Sequence, residues 1–378
     1  MTDELVPREN YAALERCTYF NQAALGLIPR PTVAVMREFV EQTAQFGNLY
    51  LSDEQEAAIL DGVRSAGADV LGAPVDDVAV VGSASEGLGQ VASVLEPGAR
   101  AVVLVGSDFP SVTYPWLAAA KRRDVALRFV EDRPDVDLTD SLVDAIDATT
   151  SVVAFGAVQY GTGSRVSVQR VTSAAHEVGA RVVVDATQLA GSAPVRTAEW
   201  QADAVVTSGY KWLSAHGGVA LLAVTPDLRD RVPALVGWKG TGDPFGFDAG
   251  TLRLTDDARR FELSTMSYAS AIGLDASIRM LSSVGFDMIE AHGGHLAAEL
   301  ASSVEHLGWR PFRPPSGGGA SSHILSLRHP DHDAAAVAAH LAERGIVCGN
   351  RAGRIRIALH AYNNSNDTAR LVAALGEL

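Results

Sequence analysis

Apolar runs recur at 78–81, 101–105, 126–130, 152–158, 182–184, 204–207 and 219–224, and they constrain this chain more than any other feature. Their residues are mostly Val, Ala and Leu without a polar alternation, the pattern of strands buried on both faces. Helical patterns at 86–95, 114–122, 142–146 and 171–178 separate most of the runs. Strand and helix in alternation predict a mostly parallel α/β sheet covered by helices. The last two runs are too close together for a helix, so the segment between them is expected to turn tightly from one strand into the next.

A Gly/Pro-rich loop at 237–250 breaks the alternation, and a helical pattern at 267–281 follows it. Further on, 334–344 reads as a helix, 355–359 as a strand, 367–375 as a final helix and 314–319 as an exposed loop. These signals divide the 378 residues into a large domain over 22–271 and a smaller α+β domain over 272–378, completed by 1–21. A formal charge of −14 disfavours nucleic acid and anionic membranes as partners and leaves a small molecule as the expected one. The acidic start and the lack of a following apolar stretch predict neither a signal peptide nor a membrane span, hence a cytoplasmic protein. Cys17 and Cys348 are too few for a disulfide framework or a zinc site, and no metal site is expected. His292-Gly293-Gly294-His295 lacks a third ligand and reads as a solvated helix segment.

Two of the apolar runs end in chemistry. The run 182–184 delivers Asp185-Ala186-Thr187-Gln188, and 204–207 delivers Ser208-Gly209-Tyr210-Lys211-Trp212. An amine and a carboxylate placed this way suit pyridoxal 5'-phosphate, which needs a lysine for its aldehyde and an anion to keep its pyridine nitrogen protonated. Lys211 and Asp185 fit those two tasks. The order Asp-Ala-x-Gln, Ser-Gly-x-Lys and then Gly217-Gly218 resembles the class V aminotransferase family of fold-type I pyridoxal phosphate enzymes. That family includes cysteine desulfurases, kynureninases, isopenicillin N epimerase and C–S lyases. The likeness continues in the Tyr-Phe-Asn-x-Ala-Ala-Leu-Gly opening at 19–26, Phe109-Pro110-Ser111, Tyr114-Pro115-Trp116, Val158-Gln159-Tyr160, Arg260-Phe261-Glu262 and Arg356 ahead of His360-x-Tyr362-Asn363. It implies a large domain with a mostly parallel seven-stranded sheet, and a homodimer with active sites at the interface.

Ser83-Ala84-Ser85-Glu86 opens a helix, so it reads as a capping box and, equally, as a phosphate seat of free amides. The resemblance assigns Ala84 and Ser85 to the phosphate, with Ser208 and Tyr210 reaching it from the far side. Phe109 is the candidate to stack on the ring, with ordinary core packing as the alternative. Gln188 is placed to donate to the ring hydroxyl, and Gln159 to the same oxygen or the substrate; both also suit polar residues satisfied at strand ends. Arg356 shares a strand face with Arg354. The resemblance makes it the clamp on a substrate α-carboxylate, a task suited to a bidentate guanidinium. Asn21, Ala24 and His360 complete the expected substrate contacts, and Thr265 is expected to reach the phosphate of a neighbouring subunit. Gly87-Leu88-Gly89-Gln90-Val91-Ala92 matches a dinucleotide fingerprint, but its glycines fall inside the expected helix instead of the turn before it.

The expected reaction begins with an amino-acid substrate replacing Lys211 on the cofactor, after which the lysine removes the α-proton. Transamination, epimerisation, decarboxylating deamination and β-elimination all remain open from there. A cysteine desulfurase needs a nucleophilic thiol on a mobile loop just before the arginine, whereas Cys348 lies in an apolar strand-like run. The motifs also sit closer to the epimerase and C–S lyase branch than to kynureninase. A C–S lyase acting on a cysteine S-conjugate is therefore the favoured expectation. Tyr50, Tyr114, His216 and His360 are candidates for an acid or base on the opposite ring face.

Overall fold

The computed structural model describes residues 3–47, 51–95, 98, 100–122 and 125–378. Its strands are β1 (Thr18–Phe20), β2 (Val78–Val81), β3 (Ala101–Val105), β4 (Leu127–Val130), β5 (Thr150–Gly156), β6 (Arg181–Asp185), β7 (Ala204–Ser208), β8 (Ala220–Val224), β9 (Arg310–Pro311), β10 (Ile324–Arg328), β11 (Ile346–Arg351) and β12 (Arg354–Ala358). Strands β2 to β8 form a seven-stranded sheet in the order β2-β8-β7-β6-β5-β3-β4. Only β8 runs antiparallel to its neighbours. The chain doubles back from β7 into β8 through residues 209–219 and so avoids a crossover helix.

Alternate residues of each strand feed two different cores, as the period of two demands. Val103, Val105, Val153, Phe155, Val182, Val184 and Val205 face Leu60, Val63 and Leu142. Val102, Leu104, Val152, Ala154, Val183 and Val206 face Leu88, Val91 and Trp116. Continuous burial on both sides is why these strands read as unbroken apolar runs. The helix expected at 142–146 occupies Leu138–Asp144 instead, because the Asp137 side chain accepts from Thr139 N and starts it early.

The second sheet has the order β1-β11-β12-β10-β9, with β1 parallel to β11 and the other pairs antiparallel. An N-terminal strand thus completes a sheet made otherwise from the C-terminal third. The helix Tyr268–Val284 buries Tyr268, Ala271, Leu274 and Ile278 in the large core, so a division at 272 would cut through one packed helix.

The 292–295 segment departs from the expectation of a solvated surface. It lies within the helix Phe286–Glu305, and His292 is buried with Nε2 2.9 Å from the Asn363 carbonyl. A Cβ on Gly293 would stand 2.9 Å from the Ser322 carbonyl, so glycine here permits close packing. Among the described residues no group of His, Cys, Asp and Glu could hold a metal ion. No described helix is long and apolar enough to cross a membrane.

A buried ion pair fastens β2 to the segment before the helix Tyr268–Val284. Arg64 Nη2 lies 2.9 Å and 3.1 Å from the two Glu262 carboxylate oxygens, and Val80 N donates to the same carboxylate at 3.0 Å. Removing Glu262 leaves the buried Arg64 guanidinium with only the exposed Asp61 carboxylate and Val80 N without its acceptor, so Glu262→Ala is expected to cost about 3 kcal/mol in a denaturant titration. Glu41→Ala, which breaks the exposed pair with Arg37, should stay within about 0.5 kcal/mol.

Candidate active site

The parallel strands place their carboxyl ends along one edge, where ligands bind in open α/β sheets. From β2 come Gly82, Ser83, Ala84 and Ser85, from beyond β3 Phe109 and Ser111, from β6 Asp185 and Thr187, and from β7 Ser208, Tyr210 and Lys211. Together with Gly217, Gly218 and Val219 they enclose a cavity of about 250 Å³. A larger cavity of about 900 Å³ runs along the 236–253 loop, but only the smaller one holds an amine opposite a buried carboxylate.

Lys211 is only 6% exposed. Burial pulls its amine down from 10.5 to about 8, against the opposing pull of Asp185, with Arg356 and Arg351 adding to the drop. Asp185 is pushed up by burial and held back by hydrogen bonds from Thr187 and by the Lys211 charge. The chain contains three lysines, Lys121, Lys211 and Lys239. Lys121 is exposed, and Lys239 is ion-paired with Glu56 between the Trp238 and Phe245 rings. Lys211 alone combines burial, a lowered pKa and a cavity.

Three successive carbonyls fix the lysine loop. Tyr210 O accepts from Gly26 N at 2.9 Å, Lys211 O from Gln22 Nε2 at 2.9 Å, and Trp212 O pairs with His360 Nε2 at 2.8 Å. A Cβ on Gly26 would lie 2.1 Å from Lys211 O, so only glycine lets the N-terminal segment come this close. Gln22 was not among the expected site residues, because its partner is 189 positions away.

The structure brings Ser83, Ala84, Ser85, Ser208 and Tyr210 together on the cavity wall. Ser83 Oγ accepts from Glu86 N at 3.1 Å, capping the helix Ala84–Leu95. Glu86 reaches Gly82 N instead of Ser83 N, which modifies the expected capping box. Gly87 and Gly89 lie inside that helix, not in a turn before it. Ser208 Oγ is buried with no hydrogen-bond partner among the described residues, and the Ser85 and Ser111 hydroxyls share a 2.6 Å hydrogen bond. An orphaned hydroxyl and a helix N-terminus lining one cavity supply donors suited to a phosphate.

Phe109 sits over the cavity with its ring centre 5.2 Å from the Lys211 amine. Tyr160 supports the ring edge-to-face at 5.4 Å. Asp108, also unforeseen, anchors the preceding turn. Its carboxylate accepts from Phe109 N at 2.7 Å, Gly156 N at 2.6 Å and Gln159 Nε2 at 3.1 Å, while burial raises its pKa to about 6. The sequence did carry a signal for it, a carboxylate just past an apolar run, the same signal that marked Asp185.

Several expectations change. Gln188 is not on the cavity wall: Nε2 donates to Ala23 O at 3.0 Å, and Oε1 accepts from Trp212 Nε1 at 2.7 Å. Gln159 does not line the cavity either: Nε2 donates to Asp108 at 3.1 Å and to Gly156 O at 3.4 Å, and Oε1 is buried without a partner among the described residues. His360 is a packing residue, buried between Trp212 and Tyr362 with both ring nitrogens engaged. Tyr114 is exposed, as is His216, and Tyr50 lies outside the described residues. Thr265 is exposed and is not part of this cavity wall.

At the substrate end, Arg356 is buried on β12. Nη1 donates to Tyr160 O at 2.7 Å, Nη2 lies 3.4 Å from Asn21 Oδ1, and Nε has no partner among the described residues. Ala24 N donates to Asn21 O at 2.9 Å, so Asn21 and Ala24 share one turn beside the arginine.

With that geometry in place, comparison with known proteins gives the family. The family model for aminotransferase class V matches residues 18–371. The chain belongs to this family. Pyridoxal phosphate is accordingly its cofactor, and the orphaned Ser208 hydroxyl, the helix start at 83–85 and the Lys211–Asp185 pair fit it. A probable cysteine desulfurase of Pyrococcus abyssi is 26% identical, covering 98% of this chain and 96% of its own. Among solved structures, the cysteine desulfurase of Thermococcus onnurineus superposes with a TM-score of 0.86 at 22% identity, covering 100% of this chain and 99% of its own. A cystine C–S lyase in complex with its reaction product cysteine persulfide superposes at 0.88 and 19%, covering 97% and 99%. These likenesses show a shared fold.

Only the unprotonated amine attacks an aldehyde, so the lowered Lys211 pKa has a kinetic consequence. Capture of pyridoxal phosphate by the apoprotein, followed by visible absorbance, should accelerate about tenfold per pH unit and level off near pH 8. An acceleration continuing to pH 10 would mark an ordinary solvated amine.

Proposed function

We propose that this enzyme is a C–S lyase, cleaving a cysteine S-conjugate by β-elimination to a thiol, pyruvate and ammonia with uptake of one water. The observation that carries this reading is the β11–β12 hairpin. Only Ala352 and Gly353 separate β11 from β12, so no long loop precedes Arg356. Cys348 is fixed within β11, and burial pushes its thiol up to about 11. A desulfurase thiol must instead be mobile and easily ionised.

Bound pyridoxal phosphate supplies an electron sink in conjugation with the substrate nitrogen. Ser208 and the 83–85 amides would hold its phosphate, Asp185 would keep a proton on its ring nitrogen, and Phe109 would shield the cavity. Arg356, beside Asn21, takes the substrate α-carboxylate. Lys211 removes the α-proton, and the sulfur leaves from the β-carbon with the electron pair of the broken C–S bond. Burial of Lys211 and Asp185 strengthens both charge interactions by excluding water. Thr265, exposed on the surface, remains our candidate for the phosphate of a second subunit in a homodimer.

Incubation of the loaded enzyme with S-alkyl cysteines should release equimolar thiol and pyruvate, and Cys348→Ser should keep the rate within about twofold. Alanine formation from cysteine, abolished by Cys348→Ser, would establish a desulfurase instead. Accumulation of an amine form of the cofactor without thiol release would establish transamination.

A further inference from the structure

The β11–β12 hairpin carries more positive charge toward the site than an α-carboxylate needs. Its register pairs Gly349 with Arg356 and Arg351 with Arg354, so all four residues share one sheet face. That face looks onto the substrate end, because a Cβ on Gly349 would stand 3.1 Å from Asn21 Oδ1 and 3.2 Å from Arg356 Nε. Arg351 emerges from the same face two residues further out, at the rim. Arg354 is partly occupied, its guanidinium 4.8 Å over the Phe312 ring. Among the described residues, the Arg351 guanidinium donates only to the carbonyl of its neighbour Asn350, at 2.7 Å.

Among the described residues, none of these three arginines has a carboxylate partner within ion-pair distance. Arg8, Arg64, Arg165, Arg181 and Arg313 are paired with acids, whereas other arginines without an acid, such as Arg100, Arg260 and Arg370, are taken up by carbonyls of distant segments. A chain with a formal charge of −14 has ample acid to neutralise them. The Arg351 charge is felt at both ends of the site, where it depresses the pKa of Lys211 and of Arg356. An exposed arginine is ordinarily a solvated surface charge. Here it stands on the face of the carboxylate clamp, with no acid to answer it.

We infer that Arg351 is a specificity residue for the substrate's far end, binding a second anionic group on the side chain. The preferred substrate is then an acidic cysteine S-conjugate, with the α-carboxylate on Arg356 and a distal carboxylate on Arg351. The planar guanidinium supplies a bidentate contact that selects this group over a neutral isostere. The inference rests on the lyase reading for the word conjugate, but not for the second anion.

The test compares S-carboxymethyl-L-cysteine with its neutral amide, S-carbamoylmethyl-L-cysteine. Their binding to the pyridoxal phosphate-loaded protein is measured by calorimetry at low salt, and pyruvate release is followed separately. The wild type should bind the acid at least about tenfold more tightly than the amide. Arg351→Ala should abolish that preference while leaving amide affinity within about twofold, and Arg351→Lys should retain part of it. Equal affinity in the wild type, a preference surviving in Arg351→Ala, or equal loss of both ligands in that variant overturns the inference. Selective acid binding without pyruvate upholds Arg351 and overturns the lyase reading. Pyruvate from both conjugates at equal affinity does the reverse, and binding of neither overturns both.

Discussion

The site depends on holding one amine in a place where water would otherwise be preferred. Desolvation of Lys211 is unfavourable, and the fold offsets it by gripping the backbone on both sides of the side chain. The carbonyls of Tyr210, Lys211 and Trp212 are taken by Gly26, Gln22 and His360. These partners come from the start of the chain and from its last 20 residues, so the lysine loop is fixed only once both ends have folded onto the large sheet. Tyr362 reinforces the arrangement by donating to Gln22 Oε1 at 3.0 Å.

The sheet explains why the other groups converge on that amine. Strands β2, β3, β5, β6 and β7 run in the same direction, and their carboxyl ends deliver a helix cap, an aromatic plate, a polar amide, a carboxylate and a hydroxyl to one edge. The single antiparallel strand β8 allows the chain to return directly after Lys211, which keeps the lysine loop short and pinned. Two buried carboxylates sit at this edge with different tasks. Asp185 faces the amine, whereas Asp108 is consumed by Phe109 N, Gly156 N and Gln159 and serves as a brace for the aromatic plate.

Much of this was legible because buried parallel strands announce themselves as apolar runs. The same runs locate Asp185 and Lys211, since a charge at the end of such a run has few reasons to be there other than chemistry. What could not be read was which way each polar side chain turns. Gln188 follows the expected motif, but its amide is held between Ala23 and Trp212. His360 belongs to the same motif as Arg356, yet it is stacked between two aromatic rings and bound to a loop 148 positions away. Gly293, expected in a solvated helix segment, instead packs closely against the Ser322 carbonyl. Each of these outcomes is set by a tertiary neighbour with no local trace in the sequence.

The central claim is that Lys211 is the residue that bonds the cofactor, and borohydride reduction tests it most directly. Pyridoxal phosphate-loaded protein would be reduced, digested and mapped by mass spectrometry. With only Lys121 and Lys239 as competing side-chain amines, the account predicts a pyridoxyl label confined to the peptide containing Lys211. A stoichiometric label on Lys121 or Lys239, with Lys211 unmodified, would contradict it.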